Sequence, residues 1–217
     1  SSETASGEIV APLADALAIV TETTNETAET TAAADAPRVE IKTARLGGSI
    51  SLLGGRIDDL SLSDYRETLE ADAETVKMLK PVGSPGAYYA LYGWAPGAGL
   101  TLDGVPGANT EWQIESGETL TEASPVTLRW DNGSGLTFRR KVSVDGNYMF
   151  TVTQSVENTG SATATLAPYG ILARHGEPEY LKNFFILHEG VVSMTDSELT
   201  ETDYDDMPDF SFQEREG

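Results

Sequence analysis

Apolar and polar residues alternate along much of the chain between about residues 38 and 194. Successive side chains of a β-strand point to opposite faces of the sheet, so this alternation predicts strands that each bury one face. Two consecutive segments, LTFRRKVSV and YMFTVTQSV, are expected to pair as an antiparallel hairpin. Their even-numbered apolar residues are Leu136, Phe138, Val142 and Val144 in the first, and Tyr148, Phe150, Val152 and Val156 in the second.

The loop between these two segments decides whether their apolar faces coincide. A two-residue Asp-Gly turn would pair Val144 with Asn147 and place the two apolar sets on opposite faces of the sheet. A three-residue loop over residues 145–147, with Gly146 or Asn147 in the left-handed region, pairs Val144 with Tyr148 instead. The pattern therefore predicts the three-residue loop, with both apolar sets buried on one side.

The other segments extend this β pattern. A second Asn/Gly turn, ENTGSA, leads into TATLAPYGILAR, so we expect three long strands that follow each other as a meander. Gly, Pro and Asn clusters separate further strand candidates, which are RVEIKTA, GSISLLG, GRIDDLSL, YYALYGW, TEWQIE and VTLRW. Helical periodicity is nearly absent, and SDYRETLEADAETVKML is the one ambiguous segment. The chain is thus predicted to be all-β, with about nine or more strands in a large antiparallel β-sandwich.

The two ends of the chain depart from the alternation. Residues 1–36 contain TETTNETAETTAAADA, which has no large apolar side chain and cannot offset the entropy of ordering. We expect a flexible acidic Ala/Thr-rich tether there, a solvated acidic tail over residues 207–217, and one folded domain over residues 37–206.

Composition excludes several functional classes. Among 217 residues, 14 are basic and 35 are acidic, which gives a formal net charge of −21 that repels nucleic acid. The absence of cysteine rules out disulfides, thiolate metal sites and a cysteine nucleophile. No apolar run reaches the roughly 18 residues that a transmembrane helix needs.

The segment NFFILHEG places His188, one of two histidines, beside Glu189. Neighbours in a strand point to opposite faces, so we expect these two residues on opposite sides of a sheet, with a bend at Glu189 and Gly190 and no pocket shared with His175. The alternative is a catalytic site in which one histidine is the general acid and Glu177 or Glu189 is the base. We assign no catalytic residue.

Three acidic residues near the end of the chain, Asp203, Asp205 and Glu214, have the spacing of the first, third and twelfth positions of a calcium loop. Met207 and Pro208 occupy the positions that need an oxygen ligand and a glycine, so no calcium site is predicted. The paired glycines in LGGSISLLGGR lack both phosphate-loop patterns and predict tight turns or bulges. We therefore expect no metal and no cofactor.

Aromatic residues cluster in AYYALYGW. Tyr88, Tyr92 and Trp94 share one parity, and Tyr89 and Leu91 share the other. Apolar side chains on both faces are typical of a strand that is covered on both sides, which predicts a core strand or the wall of a cleft. The alternative is a platform for a sugar or an extended peptide.

One family matches the order of these segments. RVEIKTARLGGSISLLGGRIDDLSLSDYRETL resembles the start of the first periplasmic domain of the bacterial membrane protein insertase YidC. YYALYGW, the long hairpin LTFRRKVSVDGNYMFTVTQSVENTG, PYGILAR and LHEGVV then follow in the order of that family. The resemblance covers residues 37–206.

This resemblance implies a β-supersandwich similar to galactose mutarotase, on the periplasmic side of the inner membrane between two transmembrane helices of the parent protein. The insertase activity of the family resides in later transmembrane helices, so the resemblance implies a non-catalytic, soluble segment without cofactors that binds no nucleic acid. Its expected partners are SecD and SecF of the Sec translocon and nascent membrane proteins. The domain of the family continues past the point that matches Gly217, which implies a truncated sandwich. The alternative is a carbohydrate-binding or aldose-epimerase-like sandwich.

Overall fold

The computed structural model describes residues 35–70, 72–176, 188–195 and 197–209. The chain divides into two compact units, one ending at His175 and the other beginning at Gly176. In chain order, the strands of the first unit are β1 (Arg38–Lys42), β2 (Leu46–Ser51), β3 (Ile57–Arg66), β4 (Thr75–Leu79), β5 (Tyr88–Pro96), β6 (Gln113–Ser116), β7 (Thr119–Leu120), β8 (Val126–Asp131), β9 (Leu136–Val144), β10 (Phe150–Asn158) and β11 (Leu166–Arg174). A short 3-10 helix, Leu102–Gly104, follows β5.

Two sheets build the first unit. The larger sheet has seven strands in the order β11-β5-β3-β2-β1-β7, with β4 also paired to β3, and the smaller sheet has the order β10-β9-β8-β6. Among the strands described, the pairing between β1 and β7 is parallel and the others are antiparallel. Buried apolar residues from both sheets form one core cluster. The predicted all-β sandwich is confirmed.

Phe138 of β9 lies at the centre of this core. Its ring is fully buried and lies 6.1 Å from the ring of Trp94 on the larger sheet and 5.6 Å from the ring of Trp130 on the smaller sheet. Val39 and Ile41 of β1 are buried in the same cluster, as the alternation in RVEIK requires. The two sheets therefore pack face to face through their alternating apolar residues.

The predicted hairpin is confirmed in its pairing and faces, and its loop prediction is wrong. Val144 pairs with Phe150 rather than with Tyr148, so the loop has five residues, 145–149. Tyr148 adopts the left-handed conformation with φ of 68°, and its hydroxyl donates a 2.8 Å hydrogen bond to Asp64 of β3. The Asp145 carboxylate closes the loop by accepting hydrogen bonds from two backbone N–H groups of the loop, at 2.7 Å and 2.9 Å. Two additional loop residues preserve the parity, which keeps both apolar sets on the core side.

The expected meander is also wrong, because β11 pairs with β5 in the larger sheet rather than with β10. The Asn158 side chain turns the chain after β10 by accepting a 2.9 Å hydrogen bond from Gly160 N and donating one to Ala162 O. The following residues carry the chain across to the other sheet. Within the described part of the chain β11 is an edge strand of that sheet, which accommodates Pro168 because proline has no N–H to donate to a second neighbour.

The ambiguous segment SDYRETLEADAETVKML forms the end of β3 and all of β4 rather than a helix. The second unit contains an antiparallel ribbon of two strands, β12 (Gly190–Thr195) and β13 (Glu198–Asp203), followed by the 3-10 helix Tyr204–Asp209. Among the residues described, no helix is long and apolar enough to cross a membrane. Residues 1–34 and 210–217 lie outside the described residues, so the predicted tether, tail and domain limits stay predictions.

Candidate functional site

A groove of about 400 Å³ opens on the first unit between three backbone segments, which are residues 35–37, Leu52 with Leu53, and residues 111–113. Hydrogen bonds join the segments, because Leu52 N donates to Pro37 O at 2.8 Å and Trp112 N donates to Leu52 O at 2.9 Å. The lining combines apolar side chains with the carboxylates of Asp35 and Glu111. Its size and mixed lining are typical of a small binding site.

Arg140 lies behind this groove. Its guanidinium is buried and lies 4.6 Å from the ring centre of Trp112, which forms part of the groove lining. It donates hydrogen bonds to the carbonyl oxygens of Gly54 at 3.1 Å and Gly55 at 3.0 Å, and a further one to Tyr92 O. Arg140 therefore ties the smaller sheet to β5 and to the turn between β2 and β3.

The guanidinium of Arg140 donates to these three neutral backbone carbonyls, which do not balance its charge as a carboxylate would. Burial lowers the pKa of Arg140 to about 10, because the charged form is desolvated. Gly55 makes room for this group: its φ is +62°, and a Cβ there would lie 2.4 Å from Arg140 Nη1. These contacts hold the groove wall in place.

Sequence reasoning missed Arg140, although the alternation carried a signal. Residue 140 has the same even parity as Phe138 and Val142, so the predicted strand already placed a cation on the core face. A charged residue at a core position is rarely buried without partners. That combination predicts a side chain that bonds to backbone groups across the sandwich.

A second polar cluster surrounds Asp58, which is fully buried on β3. Arg38 donates a hydrogen bond to Asp58 Oδ1 and a 2.7 Å hydrogen bond to the Ser49 hydroxyl, which in turn donates to Asp59 at 2.8 Å. Burial raises the pKa of Asp58, with Arg38 acting in the opposite direction. Asp58 Oδ2 is buried and accepts no hydrogen bond within the described residues. Because one partner balances the buried charge, we interpret the cluster as structural.

The Tyr89 hydroxyl lies near this cluster and contacts His175 Nε2 at 3.4 Å. Burial raises the pKa of Tyr89, with Arg56 opposing the shift. Arg56 lies over the Tyr89 ring at 5.9 Å from its centre. His175 is exposed, and Glu177, the base of the catalytic alternative, lies outside the described residues.

The structure places His188 and Glu189 immediately before β12, and their expected position on opposite sides of a sheet stays a prediction. The strand begins at Gly190 because the ladder with β13 starts at the Gly190–Asp203 pair. His188 Nδ1 lies 2.9 Å from Asp203 Oδ1, so this carboxylate lies beside the imidazole. His175 belongs to the first unit and His188 to the second, and the absence of a shared pocket stays a prediction.

The three acidic residues with calcium-loop spacing are not all described by the structure. Asp203 lies beside His188, Asp205 lies in the 3-10 helix after β13, and Glu214 lies outside the described residues. Within the described ranges, no three His, Asp or Glu side chains are grouped so that they could hold a metal ion. Both faces of β5 are covered, with Tyr89 and Leu91 buried on one and Tyr92 packed against the core on the other, which confirms the predicted core or cleft-wall strand.

Comparison with known proteins connects this architecture to one family. Residues 38–217 match the family described as the YidC periplasmic domain. The Membrane protein insertase YidC of Roseobacter denitrificans is 68% identical over 182 residues, which are 84% of this chain and 30% of that protein. That of Dinoroseobacter shibae is 60% identical over 217 residues, 99% of this chain and 36% of that protein.

The Membrane protein insertase YidC of Ruegeria sp. strain TM1040 is 66% identical over 170 residues, 78% of this chain and 28% of that protein. The chain thus spans about a third of the length of the curated relatives it matches. The family match covers both units, and it confirms the resemblance that the order of the segments predicted. The chain belongs to the YidC periplasmic domain family.

Proposed function

We propose that this chain is the non-catalytic periplasmic domain of an inner-membrane insertase, and that it assists membrane protein insertion and folding by contacting other proteins. The proposed partners are SecD and SecF of the Sec translocon and nascent membrane proteins. The observation that carries the proposal is the family match over residues 38–217 together with relatives that are named membrane protein insertases.

The side chains support a non-catalytic role. Asp58 is bonded to Arg38, and His188 is paired with Asp203 at 2.9 Å, so these groups serve contacts within the protein. General acid and base catalysis needs both groups within reach of one substrate atom. We therefore assign the activity to parts of the full-length protein outside this chain.

Site-specific photo-cross-linking tests the partner contacts. A photoreactive benzophenone amino acid is placed at Met149, Leu172 or Tyr65 of the full-length protein in native membranes, and cross-linked products are identified by mass spectrometry. These side chains are 65%, 65% and 54% exposed, while Phe138, at 0%, is the buried control. We expect SecD or SecF cross-links from at least one exposed position. If no exposed position exceeds the Phe138 control, the proposed contact is wrong.

One observation favours the aldose-epimerase-like alternative enough to test it: Tyr89 and His175 lie in contact near a buried carboxylate. The mutarotation of α-D-glucose is followed by polarimetry with the native chain and with heat-denatured chain. We expect equal rates. An acceleration by the native chain that His175→Ala abolishes would establish the enzymatic alternative.

A further inference from the structure

Strand β6 has a free edge beside the groove. It is the outer strand of the smaller sheet, and within the described residues it pairs with β8 alone. All four of its residues are exposed, and its first residue, Gln113, also lines the groove. An exposed strand edge presents backbone N–H and C=O groups that can pair with another extended chain. The groove and this edge therefore form one continuous surface.

The side chains of this surface are apolar with an acidic margin. Leu52 and Leu53 are half-buried in the groove, and Ile114 of β6 is 44% exposed. Asp35 and Glu111 add two exposed carboxylates, and neither has an ion-pair partner within the described residues. Such a surface favours alternating apolar and cationic side chains, and it repels acidic ones.

Contacts within the protein hold one wall of the groove. Trp112 is 3% exposed and stacks on Arg140, while Gly54 N donates a 2.7 Å hydrogen bond to Thr110 O. A wall held by buried contacts loses little entropy on binding, which favours affinity for a flexible partner.

We propose that the groove and the free edge of β6 bind an extended segment of another polypeptide that carries Lys or Arg next to apolar residues. The segment adds as a strand to β6 and places a cationic side chain between Asp35 and Glu111. The proposal rests on the proposed function in that it names one surface for contact with other polypeptides. Its residues differ from those chosen for the SecD and SecF cross-links, so either test can fail while the other succeeds.

The probe is a fluorescein-labelled peptide of about ten residues that alternates valine and lysine, titrated with the full chain and followed by fluorescence polarisation. Two control peptides replace lysine with glutamate, or carry N-methyl groups on alternate backbone amides. We expect binding of the lysine peptide, at least about tenfold weaker binding of the N-methylated peptide, and no measurable binding of the glutamate peptide. Amide NMR shifts should change at residues 113–116.

Variants separate the site from the overall charge. The double variant Asp35→Asn with Glu111→Gln should weaken binding about tenfold. The matched control, Glu70→Gln with Asp72→Asn, removes the same charge from the exposed loop between β3 and β4 and should change affinity less than about twofold. The proposal is overturned if the lysine peptide does not bind, if both double variants weaken it equally, or if N-methylation has no effect.

Discussion

Replacing Arg140 with methionine removes the guanidinium while leaving an unbranched side chain of comparable length in the core. The carbonyls of Gly54, Gly55 and Tyr92 then lose a charged donor. Trp112 loses the cation 4.6 Å from its ring centre. The change therefore tests whether this buried cation holds the sandwich together or is merely tolerated.

Two opposing terms set the size of the effect. A buried carbonyl that loses its donor costs about 1–3 kcal/mol, so three acceptors cost about 6 kcal/mol. Burial of the cation is itself unfavourable: desolvation lowers the pKa of Arg140 to about 10, so removal of the charge relieves about 3 kcal/mol. The net expectation is a loss of about 3 kcal/mol in the free energy of unfolding.

Urea denaturation followed by tryptophan fluorescence measures this loss. All three tryptophans, Trp94, Trp112 and Trp130, lie in the first unit, so the signal reports its unfolding. With a slope of about 2 kcal/mol per molar urea, the midpoint should fall by about 1.5 M.

The matched control is Arg139→Met, which removes the same charge one residue away on the opposite face. Arg139 binds Glu115 at 2.8 Å and Glu157 at 2.9 Å at the surface, and surface ion pairs contribute little. Its midpoint should therefore fall much less. Unchanged or greater stability of Arg140→Met would refute the reasoning, because the carbonyls would then be satisfied without the guanidinium. Equal losses of stability in both variants would indicate that removal of one positive charge, rather than of the buried hydrogen bonds, causes the destabilisation.

Three further outcomes are expected. In urea titrations, Gly55→Ala should destabilise the protein by about 2 kcal/mol or more beyond the loss caused by Gly86→Ala. The backbone φ is similar at the two sites, +62° and +65°, but of these two only residue 55 has a neighbour within 4 Å of an added Cβ. Asp58→Asn should lower the free energy of unfolding most at the acid end of a pH 4 to 7 series. Burial raises the folded pKa of Asp58 above 3.8, so the stability of the wild-type protein falls as the pH rises through that folded pKa. A destabilisation that grows with pH would contradict this reasoning. His188→Ala should lower the thermal stability by less than about 1 kcal/mol and leave glucose mutarotation unchanged, because its partner Asp203 is 60% exposed.

Local alternation was enough to predict the faces of the β9–β10 hairpin, because parity depends only on neighbouring residues. The loop length was not predictable, since Tyr148 leaves the strand to bind Asp64, which lies 84 positions earlier. The sheet that β11 joins depends in the same way on β5, a strand distant in sequence. Long-range pairing leaves no periodic signal.

The polar clusters also include one feature that local sequence could predict and one that it could not. Arg140 could have been found, because it occupies the core parity of a predicted strand. The burial of Asp58 beside the less buried Asp59 could not have been predicted from GRIDDLSL. It depends on a shift in the pairing register of β2 with β3, which occurs between Ser49 and Ile50 of β2. The groove likewise joins three segments that are far apart in the chain.

The parallel pairing of β1 with β7 has a consequence for the order in which the protein folds. Glu40 and Thr119, which face each other in this pair, are 79 positions apart. A chain that crosses a membrane from its N-terminus would expose β1 first and supply β7 only much later. Closing such long loops is slow, whereas the β9–β10 hairpin can form as soon as its two strands emerge. Until β7 arrives, one edge of β1 is open to pairing with the wrong strand.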